Sequence, residues 1–260
     1  MAAINRPSAL TSAEWSELSN EFSLSTGDVG CSLVHSAPVE QLLQPDVCRR
    51  YIDWLGQYIG SPSRRVTASM LAKRYAHVAV SPVLFAMTMY NKRLGVSPAD
   101  CVLLSPDDEQ RSRFPDLHMT RMNVCEPVAG KRGEWRDHIL RDLFADHVAP
   151  LFRQLARIGG VPAAILWENA AVRVAPMYAG CWADSSDEEK RERVRDDLVY
   201  IVHNAAADLF GERRNPFAAF VDVTIADNPA QAAGRVRRTC CMYYEMAPEY
   251  CRKCPKTNCG

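Results

Sequence analysis

Several patterns that mark nucleotide-dependent or hydrolytic enzymes are missing from this chain of 260 residues. None of its 13 glycines stands two residues from another, so no Gly-x-Gly turn is available to cradle a dinucleotide phosphate. There is no Walker loop, no Gly-x-Ser-x-Gly nucleophile turn and no His-Glu-x-x-His pair. The sequence therefore argues against the nucleotide-binding and hydrolase classes that depend on these motifs.

Long apolar runs and net charge are also lacking. The longest apolar stretch, Val78 to Tyr90, is interrupted by Ser81-Pro82 and is too short to span a bilayer. The first residues, Met1 to Ser8, have no apolar run after a positive start and do not resemble a secretory signal. Lys+Arg and Asp+Glu both number 31. We expect a cytoplasmic protein with no transmembrane segment, and a peripheral contact with the cytoplasmic face of the inner membrane is left open.

What the chain has in abundance is cysteine at one end. Five of its ten cysteines fall in the last 21 residues, where Cys240-Cys241 is followed after nine residues by Cys251-x-x-Cys254-Pro255. A disulfide framework suits small secreted domains, which this chain does not resemble, so a metal is the better interpretation. Adjacent side chains diverge in extended backbone and would strain to reach one tetrahedral ion, whereas a two-iron cluster is wider. The spacing favours a 2Fe–2S cluster, with zinc, unligated thiols or disulfides as the alternatives.

The same residues carry a resemblance to a family. The pattern Arg-Arg-x-Cys-Cys-x-Tyr-Tyr followed by Cys-x-x-Cys-Pro resembles the FhuF-type ferric siderophore reductases. Ala68 to Tyr75, leading to Pro82 to Met87, is similar to the helical N-terminal part of that family, and Leu166 to Ala171 is similar to its central motif. The resemblance spans roughly residues 60–260. The gap between the two cysteine pairs is one residue shorter here than in the family.

The resemblance implies a function. It implies one-electron reduction of siderophore-chelated Fe(III) to Fe(II) through a 2Fe–2S cluster, which releases iron in the cytosol. The expected partners are a ferric siderophore, of hydroxamate type, and an electron donor, which would be a flavoprotein, a ferredoxin or a ferredoxin reductase. No catalytic residue beyond the cluster is implied. Cys240, Cys241, Cys251 and Cys254 would be the ligands, and Cys259 lies outside the matched pattern.

Other side chains are candidates for the cluster surroundings or the substrate. Arg237 and Arg238 are candidates for tuning the cluster, and Tyr243 and Tyr244 for stacking or hydrogen bonding beside it, although plain packing is an equal alternative for the tyrosines. Glu168 and Asn169, polar residues in an otherwise apolar helix, either form a buried hydrogen-bonded pair or line the substrate cleft. Trp167 and Asn169 are the candidate substrate residues of this motif.

The tail is basic. From Arg235 onward there are six cations and two glutamates, so the cysteine tail (residues 235–260) carries +4 and the rest of the chain −4. A basic tail can indicate nucleic acid, but no recognised binding fold accompanies it, and no nucleic-acid partner is expected. Cations near a four-thiolate cluster would offset its negative charge.

The rest of the chain predicts a helix-dominated α+β fold with a small sheet. Thr11 to Glu14 is read as a capping box, Pro45 as the start of a helix, and Trp135 to Ile158 as a long helix. Cys101 to Leu104 and Leu117 to Val124 are candidate paired strands, and Phe217 to Thr224 is a further strand. Three regions are predicted: a variable N-terminal segment (1–38), a helical α+β substrate-binding region (39–234) and the cysteine tail (235–260).

Two rival functions come from other classes. The tail could be a zinc-stapled interaction module with no redox role, which predicts a colourless protein containing zinc. It could instead hold a 2Fe–2S cluster as a redox sensor, which predicts no electron transfer to chelated iron.

Overall fold

A computed structural model describes residues 4–29, 32–107, 112–223 and 236–258. It is a helix-dominated α+β fold with two small sheets, which confirms the predicted fold class. The helices are α1 (Ser12–Phe22), α2 (Val39–Leu42), α3 (Pro45–Ile59), α4 (Arg64–Tyr75), α5 (Ser81–Phe85), α6 (Arg132–Leu140), α7 (Ala149–Gly159), α8 (Ala163–Asp184) and α9 (Glu188–Val199). The strands are β1 (Asn5–Pro7), β2 (Leu24–Thr26), β3 (Leu33–Pro38), β4 (Arg93–Leu94), β5 (Cys101–Pro106), β6 (Asp116–Met119) and β7 (Val124–Pro127).

The helix ends follow local signals in the sequence. Thr11 accepts a hydrogen bond from the backbone N–H of Glu14, whose carboxylate accepts one from Thr11 N–H, so the predicted capping box opens α1. Pro45 occupies the first turn of α3, where its missing N–H costs nothing. Gly60 ends that helix at φ 70°, a left-handed conformation that glycine adopts without strain.

Several helices continue into π-helical turns. Ala76–Val80 joins α4 to α5, Ala86–Tyr90 extends α5, Arg141–Val148 joins α6 to α7, and Tyr200–Asn204 extends α9. The predicted helix from Trp135 to Ile158 is therefore one continuous run that includes a π-helical stretch. Such turns often occur at functional sites, but here they lie in the helical core.

The strands form two sheets. In the first the order is β1-β7-β4, with both pairings antiparallel. In the second the order is β2-β6-β5-β3, where β2 runs parallel to β6 and the other pairs are antiparallel. The predicted pairing of the strand at Cys101 with the strand after it is confirmed, with Cys101 opposite Met119, but the second strand is Asp116–Met119 and does not extend to Val124, which belongs to the other sheet.

Helix α4 lies at the centre of the helical layer. It packs against α3, α7 and α8, and its side chains from Val66 to Ala72 are all buried. The crossing with α7 is close, because a Cβ atom added at Gly159 would lie 2.5 Å from the Cβ of Ala68. Helix α4 also packs against α8, and the cysteine tail is hydrogen-bonded to both of these helices.

Two expectations need correction or extension. The segment from Phe217 consists of turns up to Val223 and is not a strand, because Asn215 caps it and it folds back through hydrogen bonds from Phe220 and Val221 to Phe217 O. Thr224 lies outside the described residues. The first 38 residues, expected to be partly irregular, supply α1 and three strands, which join both sheets. The three predicted regions stay a prediction.

Candidate functional site

The described part of the cysteine tail (236–258) brings its two cysteine pairs together by two tight turns. Met242 adopts a left-handed conformation at φ 64°, which reverses the chain directly after Cys241, and its N–H donates to Cys240 Sγ at 3.4 Å. In the second pair, Cys254 N–H donates to Cys251 O at 2.9 Å. A backbone bond from Arg237 N–H to the carbonyl of Lys253, 3.0 Å long, ties the two arms of the tail together.

Two of the four thiols, one from each cysteine pair, are in contact. Cys241 Sγ and Cys251 Sγ are 3.6 Å apart, close to the separation of about 3.8 Å expected for two thiolates on one tetrahedral metal at about 2.3 Å each. Cys240 interacts electrostatically with both Cys254 and Cys241. Cys241 and Cys254 are buried, while Cys240 and Cys251 are partly exposed.

The surroundings favour the protonated form of the Cys240 and Cys251 thiols. Burial raises the pKa of the Cys240 thiol, and burial together with the nearby Cys241 raises the pKa of Cys251 to about 11. Lys73 and Lys256 oppose these shifts, since a cation stabilises a thiolate. A metal that binds here must therefore displace protons from the thiols.

A buried carboxylate anchors the start of the tail. Glu168, on α8, accepts hydrogen bonds from the backbone N–H groups of Arg238 at 2.6 Å and Thr239 at 2.8 Å, and also from the Thr239 hydroxyl. Glu168 is 2% exposed, so these charge-assisted bonds form away from bulk water. Glu168 and Asn169 are expected from the sequence either to be buried and hydrogen-bonded or to line the substrate cleft. The contacts of Glu168 are of the first kind, and its hydrogen-bond partner is the cysteine tail.

Asn169 holds the tail through an intermediate. Its Nδ2 donates to the carbonyl of Ser69 at 2.8 Å and to Ser69 Oγ at 3.0 Å. The Ser69 hydroxyl in turn donates to the carbonyl of Cys241 at 2.9 Å. This buried chain links α8, α4 and the first cysteine pair, so Asn169 positions a candidate ligand.

The remaining predicted side chains, Trp167, Tyr243, Tyr244 and Arg238, have different surroundings. Trp167 is buried in an aromatic cluster, with its ring 5.2 Å from that of Phe152, and faces the core. Tyr243 lies below Lys73, whose Nζ is 5.4 Å from the ring centroid. Tyr244 lies below Lys256 at 3.8 Å and beside Tyr250. Arg238 is exposed and contributes its backbone N–H.

Arg237 has an unusual environment. Its side chain is 1% exposed, its Nε donates to Thr239 O at 3.0 Å, and its Nη2 lies 3.5 Å from Glu168 Oε2. Neither Nη1 nor Nη2 donates a hydrogen bond to any group that the structure describes. Arg237 is therefore a buried cation beside the cysteines, and its Nη1 and Nη2 donors are not used in hydrogen bonds to described residues.

An open cavity of about 380 Å³ lies against this arginine and Cys251. Lys73 of α4 and Arg173 of α8 contribute to its wall. Burial lowers the pKa of Lys73, and partial burial together with Arg74 lowers the pKa of Arg173 at the mouth. Neither Lys73 nor Arg173 is recognisable as a site residue from the sequence, because nothing in their local pattern distinguishes them from surface cations.

The fit of a metal group rests on the cysteines themselves. Across the described ranges, no three His, Cys, Asp or Glu side chains are arranged to hold one metal ion. The Cys241–Cys251 separation nevertheless suits two thiolates on a shared metal. Of the remaining two thiols, Cys254 is close enough to Cys240 to raise the pKa of that thiol. Four thiolates are the ligand set of a 2Fe–2S cluster and also of a structural zinc ion, so the residue types fit either group.

The chain is an α+β protein with a cluster of cysteines near one end, and a known protein family matches it. The family described as "Ferric iron reductase FhuF-like transporter" matches residues 69–228, more than half of the chain. The chain belongs to this FhuF-like ferric iron reductase family. The matched range includes Lys73, Glu168 and Arg173 and ends before the cysteine tail.

Other comparisons add little. No curated protein matches the chain. Among solved structures, aerobactin synthetase IucC from a hypervirulent pathotype of Klebsiella pneumoniae is similar at a TM-score of 0.46 with 11% identity. The match covers 70% of this chain and 35% of the synthetase, so this chain spans about a third of that protein's length. At this level of similarity nothing follows for fold or activity. Within the described residues, no helix has the length and apolar character needed to cross a membrane.

Proposed function

We propose that this protein reduces siderophore-chelated Fe(III) to Fe(II) by one electron, with Cys240, Cys241, Cys251 and Cys254 holding a 2Fe–2S cluster. The observation that carries the proposal is the convergence of the two cysteine pairs, with Cys241 Sγ 3.6 Å from Cys251 Sγ, in a member of a ferric iron reductase family. When bound, such a cluster supplies one-electron transfer.

The chain's own residues prepare the site for that chemistry. Glu168 and Asn169 fix the tail on α8 and α4, so the thiols stay together without help from a disulfide. Burial of Cys241 and Cys254 keeps water from two of the four sulfurs, while Cys251 lines the open cavity. A chelate bound in that cavity would lie next to the thiol site.

The reaction needs one electron and no proton-transfer residue. Siderophores hold Fe(III) through hard anionic oxygens, and Fe(II) is softer and held more weakly by them. One electron from an external donor therefore converts a tightly held ion into one that leaves. A flavoprotein, a ferredoxin or a ferredoxin reductase would supply the electron, and we place the reaction in the cytosol, where thiols stay reduced.

A single-turnover experiment tests this function. The protein is purified anaerobically, reduced with dithionite, desalted, and mixed with a ferric trihydroxamate and an Fe(II)-specific indicator. We expect up to one Fe(II) per chain, since one cluster stores one electron. Cys251→Ser should abolish the yield, whereas Cys125→Ser, which changes a half-buried thiol of β7 outside the tail, should not.

The other outcomes separate the rival functions. A protein that holds the cluster but leaves chelated Fe(III) unreduced would be a redox sensor. A colourless protein with one zinc per chain would be a zinc-stapled module, and the reductase proposal would then be wrong.

A further inference from the structure

The cavity beside Cys251 has a large excess of positive charge. The charged residues of its wall are Lys73, Arg173, Arg237, Arg252, Lys253 and Glu249. These are five cations and one carboxylate, a formal charge of +4 in a cavity of about 380 Å³. A concave site of this size is within the usual range for small-molecule ligands.

The most buried cation in this wall is Arg237, whose Nη1 and Nη2 are buried and donate no hydrogen bond to the described residues. Its nearest carboxylate among these residues, Glu168, lies 3.5 Å from Nη2. Buried polar groups in folded proteins are almost always hydrogen-bonded, and an unmet guanidinium is costly. A ligand with anionic oxygens would complete this arginine, which offers two parallel donors for a carboxylate.

Two other cations of the cavity, unlike Arg237, have no carboxylate partner among the described residues. Within the part of the chain that the structure describes, neither Lys73 nor Arg173 forms an ion pair. Lys73 contacts the Tyr243 ring, and Arg173 reaches solvent at the mouth. The two side chains come from neighbouring helices that pack against each other, so their positions are fixed by the core.

The thiol site alone does not account for this charge. An oxidised 2Fe–2S cluster with four thiolates carries a formal charge of about −2. The cavity wall carries +4, and Glu168, which pairs with Arg237 behind the wall, brings this to +3, so a formal charge of about +1 remains when the cluster is counted. An anionic ligand is therefore favoured even beside a loaded site.

A second cavity, of about 540 Å³, adjoins the first and could hold the part of a ligand that extends beyond the first cavity. Both cavities are lined by Val172 and Arg173. The second contains Glu17 and Glu21, and its wall is mostly apolar elsewhere. A chelate larger than the first cavity can extend past Arg173, with its anionic end directed toward Arg237.

We propose that this cationic cavity receives an anionic group of the ferric chelate, so that net-anionic ferric siderophores bind more tightly than neutral ones. A ferric trihydroxamate is neutral, because three monoanionic ligands cancel the charge of Fe(III). A hydroxamate chelate that carries a free carboxylate is anionic and is the favoured substrate. This inference rests on the proposed function, and it concerns the chain's own residues whatever the cluster does.

Binding of redox-inert chelates tests the inference separately from electron transfer. Gallium(III) complexes keep the charge and the hard ligand set of the ferric complexes but accept no electron under these conditions. The probes are a gallium trihydroxamate with a pendant carboxylate and the same compound with that carboxylate converted to an amide. Isothermal titration of the anaerobically purified protein should give an affinity for the carboxylate that is at least about tenfold higher, the factor that one charge-assisted hydrogen bond supplies.

Matched variants assign the preference to this cavity. Arg173→Gln and Lys73→Gln should each remove most of the preference, and higher salt should weaken it. Arg65→Gln removes the same charge from the exposed start of α4, away from the cavity wall, and should leave the preference intact. Arg173 makes no hydrogen bond to described residues, so its variant is expected to fold.

Each outcome decides the matter. Equal affinities for the two probes, no binding of either, or a preference that survives both cavity variants would overturn the inference. Reduction of ferric chelates with no charge preference would leave the proposed function standing and the inference wrong. A charge preference for the gallium probes without any reduction of ferric chelates would support the anionic-ligand inference and contradict the proposed reductase function.

Discussion

Glu168→Gln should release the cysteine tail from α8. The carboxylate accepts from two backbone N–H groups and a hydroxyl, and lies beside the buried Arg237. An amide of the same size keeps one acceptor oxygen and turns an NH₂ group toward the donors. It also leaves the arginine without a carboxylate.

The size of the effect follows from burial. The side chains of Arg237 and Glu168 are 1% and 3% exposed, and breaking a buried ion pair from one side costs about 3–5 kcal/mol. Most of that cost falls on the contact between tail and helix. We expect the free energy of tail opening to drop by about 3 kcal/mol, which makes opening roughly a hundredfold more frequent.

Hydrogen exchange and thiol labelling measure this opening. In reduced, metal-free protein, backbone amides of residues 236–254 should exchange roughly a hundredfold faster in Glu168→Gln. Cys241 and Cys254, now 1% and 2% exposed, should become readily alkylated. The control, Glu192→Gln, changes an exposed carboxylate on α9 and should alter neither rate. Unchanged exchange and labelling in Glu168→Gln would refute the anchoring role.

Three further predictions concern buried polar groups. Asn169→Ala should destabilise the protein by about 1–3 kcal/mol in urea unfolding, because the Ser69 carbonyl and hydroxyl lose their donor; no change would contradict this. Burial lowers the pKa of His147 to about 4, so the unfolded chain, at 6.5, takes up the proton first as pH falls. Of the stability lost between pH 6.5 and pH 4, His147 should account for about 3 kcal/mol, and His77, whose pKa burial also lowers to about 4, adds to the loss. His147→Gln should remove only its own share, with exposed His138→Gln as the control. Asp197→Asn should cost about 3–5 kcal/mol by thermal unfolding, since this fully buried carboxylate accepts from two arginines and a threonine; a change below 1 kcal/mol would exclude that role.

Local signals made part of the fold predictable. The capping box at Thr11, Pro45 in the first turn of α3 and the glycine after α7 each act within a few residues, so the sequence reveals them directly. The short strands β1 and β2 give no such signal. Asn5 to Pro7 contains a proline and no alternation of apolar residues, and it becomes a strand only by pairing with β7, more than a hundred residues later.

Some features of the candidate site are likewise visible in the sequence, and others arise only from tertiary packing. The density of cysteines and the polar pair in α8 are visible in the sequence, and both proved to belong to one region. The partner of Glu168 was not predictable, because the backbone N–H groups of Arg238 and Thr239 carry no residue-specific signal and lie 70 and 71 positions away. The cationic cavity escaped detection for a related reason. Lys73, Arg173 and Arg237 come from three separate segments and meet only when α4, α8 and the tail pack together.

The central claim is that the cysteine tail holds a 2Fe–2S cluster. Iron, sulfide and zinc analysis of anaerobically purified protein, with electron paramagnetic resonance after dithionite reduction, tests it most directly. We expect two irons and two sulfides per chain and a reduced-state S = 1/2 signal, all lost in Cys251→Ser and kept in Cys125→Ser. One zinc per chain, no sulfide and no signal would contradict it.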